Sequence, residues 1–334
     1  MSLLDTAQLD EAMVRIASGQ SRVLSRAVSL IENGEPRGMA LLERVYAQAP
    51  HPWVIGFTGV GGAGKSTLVP LVAEHFADRG EKVAILAVDP SSPITGGAML
   101  GDRIRSMRAP HDGIYFRSIA SRGGTGGLST CIADIVRLMS AAGRRIVLVE
   151  TVGAGQSEVA IRDVAHATVV VTAPGLGDEV QAMKAGILEI GAVLVVNKAD
   201  RPGADEAANT LQHVMALAPS AGHMIEGLNE ADAHFGLRWF PPVVKTSALS
   251  GEGMAVLIGR LLEHKDFLER SGEYSRRNLA RDRARMDERL RALLLERAMA
   301  RARDTGLWHS VEQRLQAGET DPMRAAREIV EAVV

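Results

Sequence analysis

Several things are scarce in this sequence. There is one cysteine, Cys131. A lone cysteine excludes an intramolecular disulfide or a thiolate cluster within the chain, and it suits a reducing cytoplasm. Aromatic residues make up 4% of the chain against 46% apolar residues overall, so aliphatic packing must build the core. No apolar run approaches the ~20 residues that a membrane-spanning helix needs. The amino terminus, MSLLDTAQLDEAM, lacks a basic region followed by an apolar stretch, so no export signal is read there. Neither sign of charge is in excess: 38 Lys and Arg face 40 Asp and Glu, for a net charge of -2. That balance removes the usual electrostatic reason to expect nucleic acid or an anionic membrane as partner.

What is present divides the 334 residues into three regions. Residues 1–50 read as a helical arm. Leu9, Met13, Ile16, Val23, Leu24, Val28 and Ile31 recur at mostly helical steps until Asn33–Gly34 breaks the pattern, and a shorter helix follows from about Gly38 to Gln48. Residues 51–262 alternate short β-branched runs with helical stretches. The runs are Trp53–Thr58, Val83–Val88, Ile114–Ile119, Ile146–Val149, Thr168–Thr172, Ala192–Val196 and Val243–Lys245. Most are nearly continuous in apolar character, as strands buried on both faces are. The expected fold class is therefore α/β, a mostly parallel doubly wound sheet with helical extensions at both ends, and its ligand loops should lie at the carboxyl ends of the strands. Residues 263–334 read as helical again, with an Arg-rich segment Tyr274–Arg303, a break at Gly306 and a last helix from about Asp321. Leu279, Met286, Leu290 and Leu293 form one stripe of that Arg-rich segment.

The first chemical motif follows the first run. Gly59-Val60-Gly61-Gly62-Ala63-Gly64-Lys65-Ser66 matches G-x-x-x-x-G-K-[ST] between a strand and a helix. Glycines let backbone N–H groups close around phosphates, and the helix that opens here adds its positive end. Lys65 is expected to reach the β- and γ-phosphates. The Ser66 hydroxyl is expected to ligate Mg²⁺, with Thr67 beside it.

A second motif, Asn197-Lys198-Ala199-Asp200, follows the run Ala192–Val196 and selects the base. Guanine presents N1–H and an exocyclic amine on one edge, and a single carboxylate, Asp200, accepts both. Adenine has an acceptor at N1 and no amine at C2, so it would be rejected. Asn197 would tie this loop to the phosphate loop, and the Lys198 stem would cover the base. Ser247-Ala248-Leu249 is placed to offer a backbone N–H to guanine O6.

The acidic candidates for metal and water are Glu150, Asp89 and Asp102. Glu150-Thr151-Val152-Gly153 ends the run Ile146–Val149. Many GTPases have Asp at the first of these positions and use the Gly to sense the γ-phosphate; here Glu150 takes the acidic role, with one more methylene of reach. The water-orienting Gln often found after the Gly is replaced by Ala154. Asp89 and Asp102 have two functional readings, ordering the attacking water or holding the metal's water shell. Asp89 also fits a turn stabiliser ahead of Pro90.

Taken together, the segments GFTGVGGAGKSTLV, AVDPSSPITGGAMLGDRIR, LVETVGAGQSE, APGLGDEVQAMKAGILEI, VVNKAD and TSALSGEG resemble the MeaB/ArgK-like GTPases, which include the methylmalonic aciduria type A proteins. The likeness runs from about residue 53 to residue 254. It implies a homodimeric GTPase chaperone that gates cofactor loading and protects an adenosylcobalamin-dependent acyl-CoA mutase, methylmalonyl-CoA mutase or a related enzyme. It also implies an additional switch in Pro174–Gly186, with Asp178, Gln181 and Lys184 as coupling residues, and dimerisation through the carboxyl-terminal helices. By the same resemblance, Gly62 stands where many relatives carry Pro. The other readings are a nickel-insertion GTPase and a transport-linked kinase or ATPase. The nine histidines include no closely spaced pair that would favour the nickel reading, and Asn197–Asp200 argues against ATP.

Overall fold

The computed structural model describes residues 6–90, 111–121, 129–151, 157–176, 188–217 and 238–333. The chain divides into two compact units, Met1–Arg277 and Asn278–Val334. The first holds a seven-stranded sheet in the order β3-β2-β4-β1-β5-β6-β7. Its strands are β1 Trp53–Gly59, β2 Val83–Pro90, β3 Ile114–Ser121, β4 Ile146–Thr151, β5 Ala167–Thr172, β6 Val193–Val196 and β7 Val243–Lys245. All six described pairings are parallel. Each apolar run of the sequence is thus a strand. Every residue of β1, β4, β5 and β6 is buried, which is why these runs show no alternation.

Helices cover both faces. On one, Ile55, Phe57, Leu148 and Val169 pack with α4 (Lys65–Ala77), α7 (Ala204–Leu217) and α8 (Met254–Arg270). On the other, Val54, Val147 and Val149 pack with α5 (Ser129–Ala141), α6 (Ser157–Val164) and the amino-terminal helices. Fully burying side chains such as Phe57 and Ile55 contributes roughly 1.5–3 kcal/mol each. Because the sheet is parallel, all its strands deliver their following loops to one end.

The amino-terminal arm contains three helices: α1 Thr6–Ala17, α2 Ser21–Glu32 and α3 Pro36–Gln48. The sequence reading ran a single periodic segment up to Asn33. The structure interrupts it at Gly19, whose φ of +75° ends α1 although the apolar phase resumes in α2. α2 and α3 meet closely at Gly38, where a Cβ would lie 2.7 Å from the Leu30 carbonyl. Arg117 of β3 bonds Glu32 at 3.1 Å and Ser29 at 3.0 Å, which ties α2 to the sheet edge.

The first turn of α9 (Glu273–Asp304) belongs to the first unit; the second unit begins at Asn278 and continues through α10 (Leu307–Gln316) and α11 (Pro322–Val333). The sequence reading missed α10, a short helix between Gly306 and Gly318. Asp321 caps α11 by accepting from the amides of Met323 (2.9 Å) and Arg324 (3.0 Å), ahead of Pro322 in the first turn. Val311 and Ala325 are buried, and Arg314 pairs with Glu328 at 2.8 Å. Among the described residues, no helix is long and apolar enough to cross a membrane.

Candidate nucleotide site

β1 ends at Gly59 with φ = +121°, and a Cβ there would lie 2.1 Å from the Val171 carbonyl oxygen of the neighbouring strand. No other residue fits that corner. Gly62 (φ +75°) and Gly64 (φ +91°) take the further left-handed positions of the loop. Proline, with φ locked near -65°, cannot adopt the Gly62 backbone. A Cβ on Gly64 would lie 2.4 Å from Asn197 Nδ2, so this glycine makes room for the contact that ties the two motifs together.

Lys65 opens α4 and is buried. Its ammonium donates to the carbonyls of Gly59 at 2.5 Å and Val60 at 2.9 Å, so the charge is held inside the loop's curve. Leu68, Val69 and Val72 of α4 are fully buried, and they anchor the helix whose amino end faces the loop. Ala63 is buried and Gly61 exposed; the Thr67 amide donates to Gly64 O at 3.1 Å. Ser66 donates to Glu150 Oε1 at 2.6 Å. Glu150 sits at the carboxyl end of β4, adjacent to β1 in the sheet, and is buried. The longer Glu side chain thus reaches the Ser66 hydroxyl directly. A hydroxyl and a carboxylate converging beside a phosphate loop are the hard oxygen donors that Mg²⁺ prefers.

On the other side of β1, β6 delivers Asn197. Its Nδ2 donates to Ala63 O at 2.8 Å, while its Oδ1 accepts from Thr246 Oγ1 (3.2 Å) and the Ala248 amide (3.1 Å). One buried amide therefore fixes the phosphate loop, the end of β6 and the loop after β7. Lys198, the one non-glycine residue with positive φ (+58°) among the described residues, donates through Nζ to Gly62 O at 2.7 Å. Asp200 Oδ1 accepts from Ser247 Oγ at 2.6 Å. The Asp200 carboxyl is held below its ordinary value, first by that hydroxyl, then by a bond from its own backbone and by Arg201 and Lys198. Leu249 lies at the tip of the same loop and is largely exposed.

The structure therefore gathers Gly59–Thr67, Glu150, Asn197, Lys198, Asp200 and Ser247–Leu249 at one end of the sheet. Asp89 ends β2 in the same direction, its backbone level with Ala120 of β3. Its side chain lies outside the described residues, as do Asp102, Gly153, Asp178, Gln181 and Lys184.

The sequence reading missed two supports. Thr246 buttresses Asn197, and Gly253 (φ +75°) lets the chain return so closely that a Cβ would lie 2.0 Å from Lys245 O. The paired glycines of Ser250-Gly251-Glu252-Gly253 were the available signal.

The sequence model described as "Methylmalonyl Co-A mutase-associated GTPase MeaB" matches residues 24–303. The chain belongs to the MeaB family. Among its relatives, the GTPase ArgK of Escherichia coli is 33% identical over 81% of this chain and 80% of its own. The mitochondrial methylmalonic aciduria type A homolog of Mus musculus is 28% identical, covering 97% of this chain and 79% of its own. A solved structure named LAO/AO transport system kinase has the same fold, with a TM-score of 0.67, 23% identity and 99% of both chains covered. In this MeaB-family chain the phosphate loop Gly59–Ser66 and the segment Asn197–Asp200 are joined through Asn197.

Proposed function

We propose that this chain binds and hydrolyses GTP with Mg²⁺ in the cytoplasm. As a homodimer it would gate cofactor loading of an adenosylcobalamin-dependent acyl-CoA mutase, methylmalonyl-CoA mutase or a related enzyme, and protect that enzyme. The observation that carries the guanine reading is the Asp200–Ser247 pair joined to the phosphate loop through Asn197. The family's description supports the mutase role. The test is co-purification of the full chain with purified candidate mutases in GDP and in a non-hydrolysable GTP analogue. Nucleotide-dependent retention of one mutase supports the role, and equal behaviour in both nucleotides counts against it.

In this reading the loop amides and Lys65 bind the β- and γ-phosphates, and Asp200 accepts from the guanine edge. Ser66 and Glu150 would hold Mg²⁺, which when bound offsets charge on the phosphate oxygens. Asp89 and Asp102 are the candidates for ordering the attacking water, and Gly153 for sensing the γ-phosphate. Asp178, Gln181 and Lys184 are proposed to couple nucleotide state to the mutase. With Ala154 where a water-orienting Gln often stands, turnover by the chain alone is expected to be slow. Assisted sites of this class gain ~10³–10⁵-fold.

The pH dependence of GDP binding follows from Asp200. The carboxylate is the accepting form, and its value is depressed, so its contribution is complete at neutral pH and is lost only as pH falls through that depressed value. GDP affinity should be flat from pH 8 to about 5, since even an ordinary Asp titrates near 3.9. Ser247→Ala removes the largest cause of the depression. It is expected to weaken GDP about 3–10-fold at pH 7 and to move the acid decline to higher pH. Fluorescent-GDP titrations at stepped pH read both effects.

The dimer is proposed on α9, where Leu279, Met286, Leu290 and Leu294 are exposed at roughly one-helical-face spacing. A second copy would cover this stripe. Met286→Asp with Leu290→Asp should shift light-scattering mass from dimer to monomer, because each buried side chain of this size contributes roughly 1.5–3 kcal/mol. An unchanged mass would move the interface elsewhere.

A further inference from the structure

Glu150 reaches Ser66 from the end of β4 on the α4 side of the sheet. On the opposite side the same strand end carries a second polar contact. Val147 and Val149 face the core shared with α5 and α6, so the two-residue period of the strand turns Thr151 to that side as well. On β1, Gly56 faces α6, where a Cβ would lie 2.7 Å from Ile161 Cδ1, and Thr58 follows it on the same side. The β1–β5 register sets Thr168 beside Gly56 and Val170 beside Thr58, so Thr172 shares this face. Thr151, Thr58 and Thr172 thus sit at the carboxyl ends of β4, β1 and β5, and all are buried.

Their hydroxyls are not equally placed. Thr151 Oγ1 donates toward two acceptors on β1, Phe57 O and Thr58 Oγ1, each 3.3 Å away. One proton shared between two acceptors gives longer contacts than a single O–H bond does. Thr172 Oγ1 finds no partner among the described residues. The first pair is tied across strands and the third hydroxyl is not.

Strand register shows where the tie falls. Backbone pairing of β1 with β4 runs from Trp53–Ile146 to Phe57–Glu150 and stops. On its other side β4 stays paired with β2 for one more residue, at Val88–Thr151. The last residue of β4 is thus held to β2 by backbone and to β1 by a hydroxyl. Glu150, one residue earlier, must lean toward the helix that follows β1 to put Oε1 2.6 Å from Ser66 Oγ. Without the tie, the end of β4 beyond its last β1 rung would answer to β2 alone, and the carboxylate would follow it away from Ser66. Groups that fix a metal ligand from behind matter nearly as much as the ligand.

We propose that Thr58 and Thr151 are positioning residues for the metal, holding the end of β4 against β1 so that Glu150 and Ser66 keep their spacing. They act through Glu150, whose carboxylate lies on the other face of the sheet. The inference rests on the reading of Ser66 and Glu150 as Mg²⁺ ligands.

The test is Mg²⁺-dependent binding of a fluorescent, non-hydrolysable GTP analogue to the full chain, with binding in EDTA and thermal melting read alongside. Thr151→Val keeps the shape of the side chain and removes its hydroxyl. It should raise the Mg²⁺ concentration for half-maximal binding by about 3–10-fold, the effect of one ordinary hydrogen bond, and leave binding in EDTA as in the parent. Thr151→Ser keeps the hydroxyl and should stay within about twofold of the parent throughout. Thr172→Val removes a hydroxyl that has no partner, so it should keep the parent's Mg²⁺ dependence and melt no lower. Thr58→Val added to Thr151→Val removes both ends of the tie, which should recover melting lost in the single variant but not the Mg²⁺ dependence. That contrast separates positioning from folding. Thr151→Val with the parent's Mg²⁺ dependence, or with an equal loss in EDTA, overturns the positioning role. So does Thr151→Ser behaving as Thr151→Val, Thr172→Val shifting the dependence equally, or the double variant recovering the dependence along with melting. A parent that binds the analogue with no need of Mg²⁺ overturns the ligand reading, and one that binds no nucleotide overturns the site.

Discussion

Lys65→Ala is expected to lower single-turnover GTP hydrolysis by ~10²–10³-fold, the usual cost of removing one preorganised charge from a developing anion. The geometry explains why the cost is large. The Lys65 side chain is buried, and its ammonium is held by the carbonyls of Gly59 and Val60. A phosphate in the loop would therefore gain a positive charge that two backbone carbonyls help to position. Alanine deletes the charge and leaves the Gly59 and Val60 carbonyls without this donor. Lys65→Arg should not rescue, because a planar guanidinium cannot occupy the point between two carbonyls that a compact ammonium fills. Phosphate release under single-turnover conditions reads the effect, and a Lys65→Ala rate within threefold of the parent would remove Lys65 from the chemistry.

The parts of this molecule that could be read from sequence are those set by neighbours in the chain. The seven strands were legible because a parallel strand buried on both faces is a continuous β-branched run, as in Val193–Val196. The phosphate loop was legible because its glycines answer to local φ, as at Gly62 and Gly64. Gly19 was harder, since the apolar phase carries on across it and periodicity alone does not register a turn. The cross-links of the site were not legible. Asn197 could be expected to reach the phosphate loop, but its simultaneous grip on Thr246 and Ala248 depends on β6 and β7 lying side by side. The same holds for His166. A histidine between a helix and a strand carries no local mark of its bond to Val54, 112 positions away, or of the tyrosine stacked on it from α9. Local chemistry announces itself in sequence, while the contacts that join one motif to the next are set by strand order.

Asp200→Asn should weaken GTP binding by about 10³-fold or more and should make xanthosine triphosphate the preferred ligand, since sites built around buried hydrogen bonds discriminate by up to ~10⁴–10⁵. With Asp200, two acceptor oxygens meet the guanine N1–H and the 2-amine. With Asn, the carboxamide NH₂ would confront the 2-amine, donor against donor. Xanthine replaces that amine with a carbonyl, so the Asn oxygen takes N1–H while its NH₂ serves the new acceptor. Ser247 suits either residue, because a hydroxyl can donate to a carboxylate or accept from an amide. The phosphate loop touches Asn197 and Lys198 but not the exchanged atom, so Mg²⁺-dependent phosphate contacts should survive and xanthosine triphosphate should still turn over. Competition of guanosine, xanthosine and adenosine triphosphates against a fluorescent nucleotide separates the readings. Unchanged GTP affinity would take the base from Asp200, and adenosine triphosphate competing as well as GTP in the parent would make the site a general triphosphate cradle rather than a guanine one.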